Sequence, residues 1–554
     1  MGFELNNFND PDLQTDYLEY LIEHESADRR RHFSRLWDYV RNPISPIVGA
    51  AADAMNANSR PYFQAQEVGL PARITGINRF GSAGQQVTNL SRKEVVIEND
   101  IAWRINTMVD FLFGKPISIR SLAEDKALAE IIELIIENLF EANGGGGFFS
   151  ELALLGAVYG FVDVILRTPP QWPFSTDASL STRRLLEGSD TTLRAPASTQ
   201  PAEQDDSPSR SSSPPVLPFS KARREALVEA VRQLSLEPIE APRIIPILDE
   251  DDFRTARYWV QCYQKRKCQV DSSPRGFFSL LRPGRSGMQP KTVEVVEIIG
   301  PHWWQRYEDR SLVAEGPNSL GRIPVVHIQN IALPGSYEGL SDVEPLIPLQ
   351  DELNTRLSDR AYRITYQSFK MYLAKGIDDF LERPVGPGQM WSTHNPDASI
   401  QEFGQDSGSP SENIHIEQVR HALDKTSGVT PLAAGLISGK VGNLTSATAL
   451  KVLLSGLISK TNKKRITYGR GLAEIISLVL EVLDKAALIK TDPQDRRVEI
   501  HWPSPLPEDE SQRLADAQVK AALGVPAERI LAELGYDRDK LSTQNQDEEI
   551  NNNG

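Results

Sequence analysis

Cysteine is almost missing from this chain. Two stand among 554 residues, Cys262 and Cys268. Six apart in a strand-like run, they point to one face. They have neither CxxC spacing nor a further Cys/His cluster, which argues against a zinc site. Buried reduced thiols are the expectation, and they suit folding in a cytoplasm. Long apolar runs are missing too, since none approaches the roughly 18 residues that span a bilayer. Phe148–Leu166 comes nearest, but Glu151, Gly156, Gly160 and Asp163 interrupt it, so it reads as a buried helix running into a strand. The opening MGFELNNFNDPDLQ lacks the basic start and apolar core of a signal peptide. Excess positive charge is also absent: 60 Lys and Arg face 75 Asp and Glu, a formal net charge of −15. That balance opposes a broad grip on duplex nucleic acid, which needs clustered cations. It leaves room for a surface past which nucleic acid slides.

Catalytic patterns are lacking as well. Gly144–Gly147 is followed by Phe148-Phe149, where a phosphate loop needs Lys and Ser or Thr, so it reads as a helix–helix turn. GLISGKV (435–441) spaces its glycines too closely and has Val441 where a hydroxyl would bind magnesium. The eight histidines include no HExxH pair, and His415 and His421, six apart on a helix, fall on different faces. Ser438-Gly439 lacks the GxSxG elbow. Asp249–Asp252 reads as a solvated turn, and Trp303-Trp304 as one buried ring and one at a subunit contact. No catalytic residue, cofactor or metal site is expected.

Apolar spacing supplies the organisation. Val95, Ile101, Ile105, Met108, Val109 and Leu112 predict a helix over Ser91–Phe113, stopped at Gly114. Thr168–Ser220 is too rich in Pro and Ser to offset ordering entropy, and reads as a disordered excursion before a helix at Lys221–Leu236. Period-two runs predict strands at Ile244–Leu248, Arg257–Tyr263, Thr292–Ile299, Trp303–Tyr307 and Ile323–Gln329, with a basic loop over Ser272–Pro290. Asp342 is the expected cap of a long helix whose stripe is Leu349, Leu353, Leu357, Ala361 and Ile364. Gly and Pro then dominate Met371–Gly408, with short strands at Met371–Ala374 and Gln389–Ser392. A return helix, Glu412–Thr426, leads to a Gly-bearing loop and a long helix from Ser446, distorted near Gly469 and Gly471. A strand at Val498–Trp502 and two short helices, the first ending at Gly524, complete the pattern. Lys440, Lys451, Lys460, Lys463, Lys464 and Arg465 cluster around loop and helix. They form either a solvated face or a sequence-blind contact with a nucleic-acid backbone.

Four passages in this order resemble the portal proteins of tailed bacteriophages. NDIAWRINTMVDFLFGKPI (99–117) is similar to the family's early wing helix and its Gly-x-Pro-Ile turn. GRIPVVHIQN (321–330), GLSDV (339–343) and QDELN (350–354) resemble the last wing strand and the outgoing stem helix. LTSATAL (444–450) is similar to the helix start beside the channel loop, with Ala447 where the family has Gly. Ile500–Trp502, Pro507–Asp509 and Gly524–Ile530 resemble the crown.

The resemblance implies an α+β subunit with wing, stem, clip and crown, assembling into a ring, usually of twelve. Residues 1–167 would be a helical part of the wing, 168–222 an insertion and 223–339 a β-rich wing. Residues 340–370 and 412–431 would be outgoing and returning stem helices around a clip at 371–411. A channel loop at 432–445, a kinked wing helix and strand at 446–504, a crown at 505–537 and a flexible tail at 538–554 follow. Ser438, Gly439, Lys440, Val441, Gly442 and Asn443 would face the channel, with Lys451, Lys460, Lys463 and Lys464 as candidate DNA-backbone contacts. Asp378, Asp379, Glu382, Arg383 and Trp391 would meet the large terminase or head–tail adaptors. Implied partners are further copies of the chain, double-stranded DNA read without sequence preference, terminase, adaptors, and major capsid and scaffolding proteins. No membrane is implied, and the place is the portal vertex of a virion, after assembly in host cytoplasm. Two rivals stand beside this reading. One is another ring-forming virion structural or adaptor protein, although adaptors are usually smaller and lack the helix pair. The other is an unrelated nucleic-acid enzyme.

Overall fold

Asparagine and aspartate caps set where the N-terminal helices begin. The computed structural model describes residues 15–46, 62–75, 94–169, 221–268, 290–368, 371–375, 396–403, 410–435, 447–506, 510–527 and 530–531. Its first long helices are α1 (Ser26–Arg41), α2 (Asp100–Phe113), α3 (Lys126–Ala142), α4 (Gly146–Tyr159) and α5 (Lys221–Arg232). Asn99 accepts from the Ala102 amide at 3.2 Å and Asp125 from the Ala127 amide at 2.9 Å, each satisfying a donor that a helix start leaves open. The expected Ser91–Phe113 helix is therefore shorter. Residues 94–99 are extended, and Val95 sits with Leu70 and Ile74 in a small cluster of its own. Gly144 (φ +100°) and Gly145 (φ +54°) turn α3 into α4.

Two antiparallel sheets pack on these helices. One is five-stranded, built from β4 (Ile244–Leu248), β5 (Ala256–Cys268), β6 (Pro290–Ile299), β7 (Trp303–Glu308) and β8 (Ser311–Pro317) in that spatial order. The other places β2 (Phe161–Arg167) between β3 (Ser235–Ile239) and β9 (Val325–Gln329). Strands β3 and β8 escaped the sequence reading. Pro238 interrupts β3, while β8 is an exposed edge carrying Gly316 and Pro317, so neither has a clean apolar alternation. The central strand β2 is apolar and buried on both faces apart from Asp163. That carboxylate is fully buried and accepts from Trp259 Nε1 and Tyr337 Oη, each at 2.8 Å. Trp303 is buried and Trp304 half-buried against the main core. A two-stranded sheet joins β1 (Ser118–Ser121) to β12 (Val498–His501).

After a 3-10 turn at Glu344–Leu346, α6 (Ile347–Ser368) runs out for roughly 33 Å. Strands β10 (Met371–Lys375) and β11 (Ser399–Phe403) pair antiparallel beyond it, and α7 (Pro410–Ser427) returns. Glu352 on α6 meets His415 on α7 at 3.0 Å, and Arg363 pairs with Glu412. Then come α8 (Ala447–Leu453), α9 (Ser455–Lys485) and α10 (Glu510–Ala522). Helix α9 is unbroken past Gly469 and Gly471, and the break in the helical run falls at Leu454. Gly471 serves packing instead, because a Cβ there would lie 2.4 Å from Ile328 Cγ1. Mixed helix and antiparallel sheet around one main core define an α+β fold.

Candidate functional site, the root of the helix pair

Six charges meet where α6 begins, α7 ends and α9 passes. Asp342, in the loop before α6, lies 2.8 Å from Lys460 Nζ and 2.5 Å from Lys464 Nζ. Spacing of four on α9 puts both ammoniums on one face. Burial alone would raise the Asp342 carboxyl, but Lys464 and then Lys460 outweigh it and hold the pKa at about 2. Asn330 donates to the same carboxylate at 2.9 Å.

The second half of the junction is built around Arg104. Its guanidinium is 1% exposed, 2.8 Å from both Asp100, one turn back on α2, and Asp424, on the last turns of α7. It also donates to the Val429 carbonyl at 2.5 Å and the Ser427 hydroxyl at 3.3 Å. Lys460 donates to the Ser427 carbonyl at 2.9 Å. Ser427 thus links the two halves. Three cations and three carboxylates balance, which is the condition for keeping so many charges away from water.

Next to this junction a polar ladder replaces the apolar contact expected of α6. Ser358, Asn354 and Gln350 accept from the amides of Val96, Glu98 and Asp100 at 3.0, 3.1 and 3.1 Å. Four helical residues advance roughly 6 Å and two extended residues roughly 6.6 Å, so a strand-like segment can pair along one helix face. Among the expected stripe residues Leu353 is buried, Leu349, Leu357 and Ala361 are half-buried, and Ile364 is 51% exposed. The buried face of α6 inside one chain is therefore rotated towards Gln350, Asn354 and Ser358.

Other expected sites divide by location. Lys464 cannot reach a DNA backbone: it is 3% exposed and neutralised by Asp342. Lys460 is engaged in the same pair, while Lys451 and Lys463 are exposed. Asp342 does not cap α6, because its carboxylate is taken by Lys460 and Lys464; in the turn before the 3-10 segment the Ser341 hydroxyl accepts from the Val343 amide at 3.1 Å. The loop residues Ser438 to Asn443 lie outside the described residues, as do Asp378, Asp379, Glu382, Arg383 and Trp391. So do most of the Pro/Ser-rich insertion, the Ser272–Pro290 loop, the expected Gln389–Ser392 strand and the tail. The loop leaves the described structure at Gly435 (φ +76°) and returns at Ala447. Asp100, Arg104 and Asp424 were not anticipated; the four-residue spacing of Asp100 and Arg104 was the available signal.

This arrangement anchors chain segments, each cation facing a carboxylate. Among the described residues, no cluster of three or more His, Cys, Asp or Glu is placed to hold a metal. No described helix is long and apolar enough to cross a membrane.

Helices α6 and α7 thus stand as an out-and-back pair on a larger α+β body. Residues 289–552 match the family described as phage portal protein, SPP1 Gp6-like. That stretch is a little under half of the chain, and over it the sequence is similar to the phage portal proteins. No curated protein matches the chain significantly. Among solved structures, a chain from the neck of an empty GTA particle computed with C6 symmetry is similar, with 11% identity and a TM-score of 0.38. The match covers 78% of this chain and 89% of that one.

Proposed function

We propose that this chain is the portal subunit of a tailed phage, closing with copies of itself into a ring, of twelve by family habit. Double-stranded DNA would pass through the ring during packaging and ejection. The observation that carries the reading is the antiparallel pair α6 and α7, joined through the β10–β11 hairpin and clamped at its root by six charges, four buried and two partly buried. Such a root lets a long lever stand out from the wing, and a head-to-tail contact repeated by rotation closes a ring. The exposed Ile364 on α6 and Ile414 on α7 are apolar positions that neighbouring stems would cover. A net charge of −15 suits a channel that DNA traverses without being trapped.

In this reading the loop Ser438–Asn443 lines the narrowest passage, and the segment between α6 and α7 is the docking face for terminase and later for head–tail adaptors. Capsid and scaffolding proteins surround the wing, and the finished ring sits at one vertex of the virion. Deleting Ser438–Asn443 tests the channel. Rings of normal size should form while packaging or retention of DNA fails; unchanged packaging and retention would refute the assignment.

A further inference from the structure

Helix α10 has no core of its own. Leu514 is 54% exposed, Leu523 just beyond its end 78%, and Val519 is exposed with them. Leu514 and Ala521 are exposed and Ala517 half-buried at helical spacing, so one apolar stripe of a 13-residue helix stands mostly in water, with Val519 and Leu523 on the other face. A helix that short is marginal without tertiary support.

A groove of matching chemistry lies along α8 and α9. It measures 610 Å³ and is lined by Lys451, Ser455, Ile458, Lys463, Ile466 and, from the other side, Leu506. Its apolar wall includes Ile466, which is 73% exposed. From Lys451 to Ile466 the helical rise is roughly 22 Å, and α10 is roughly 20 Å long. The rim is basic, at Lys451 and Lys463, while the sequence leading into α10 is acidic, with Glu508, Asp509 and Glu510. Only residues 507–509 separate α10 from Leu506, itself a wall of the groove. Even so, the helix's own leucines remain in solvent.

We propose that the groove receives helix α10 of a second copy of this chain. The contact is head-to-tail, groove on one subunit and helix on the next, which is the kind that closes a ring. It takes Lys451 and Lys463 away from DNA and gives them the acidic start of the neighbour's helix. The proposal rests on the ring reading above and adds the contact that would hold the crown.

Mixed disulfide trapping tests it. Ile466→Cys and Leu514→Cys are placed in separate chains, both in a Cys268→Ser background, co-assembled and oxidised, with ring size measured on the same sample. A covalent dimer seen only in the mixture is expected, and a doubly substituted chain should give a ladder of multimers. Rings without the dimer would overturn the proposal and leave the ring reading standing. A fast-migrating monomer from the doubly substituted chain would assign the groove to the chain's own helix, also overturning it. Failure of the unsubstituted protein to form any ring would remove both.

Discussion

Replacing Asp342 with Asn is the most direct probe of the buried junction. The change keeps the side chain's size and deletes the charge that lies between Lys460 and Lys464. Depressing the carboxyl from 3.8 to about 2 corresponds to about 2 kcal/mol of stabilisation. Stranding the Lys464 ammonium at 3% exposure raises the total to about 3–5 kcal/mol. Thermal unfolding followed by circular dichroism should report a fall in apparent Tm of about 3–4 °C near neutral pH, the small shift expected of a chain this long. The pH dependence has a definite sign. A carboxyl with a depressed folded pKa stabilises above its unfolded value of 3.8 and loses that contribution as pH falls through about 2, so the two proteins should converge in acid. At the alkaline end burial lowers the Lys464 pKa. An unpaired Lys464 then sheds its proton as pH rises, and the gap should narrow there too. Adding Lys464→Met to the Asn variant should recover more than half of the loss, because a buried pair replaced by neutral groups costs far less than an orphaned charge. A Tm change below about 2 °C in Asp342→Asn, or no recovery in the double variant, would refute the reasoning.

Other expectations concern backbone contacts and the ladder. Gly160 has φ +92°, and a Cβ on it would come within 2.4 Å of the Gly339 carbonyl. Gly160→Ala should therefore destabilise by more than the roughly 1 kcal/mol typical of surface changes, measured by urea unfolding. Asn354→Ala should cost about 1–3 kcal/mol by orphaning the buried Glu98 amide, and Asn354→Asp should recover part of it. Burial pushes the Cys262 thiol up to about 12, so in native protein it should resist a thiol reagent at neutral pH and react on unfolding.

Much of the fold was legible because single positions carried strong local signals. The strands Ile244–Leu248 and Trp303–Glu308 follow period-two runs of β-branched and aromatic residues that local sterics favour. The return helix at Pro410–Ser427 and the Gly144-Gly145 turn also follow from spacing and glycine alone. The helix start at Asn99 was mistaken because Val95 falls at helical spacing from Ile101 and its neighbours. The side chains of Ser358, Asn354 and Gln350, 250 or more residues away, hold that segment out of the helix. Gly469 and Gly471 suggested a kink, and the close approach of Ile328 explains Gly471 instead.

By itself the sequence determined the order of the main helices, the acidic balance and the family likeness. All of these depend on residues near one another in the chain or on composition. Tertiary structure alone decided which lysines are paired and which are free to meet a partner. Lys463 and Lys464 are neighbours in sequence, yet 100° of helical rotation points one to solvent and the other at Asp342. Whether a charge is a contact surface or an internal clamp depends on what folds over it, and here that is a carboxylate 122 residues away.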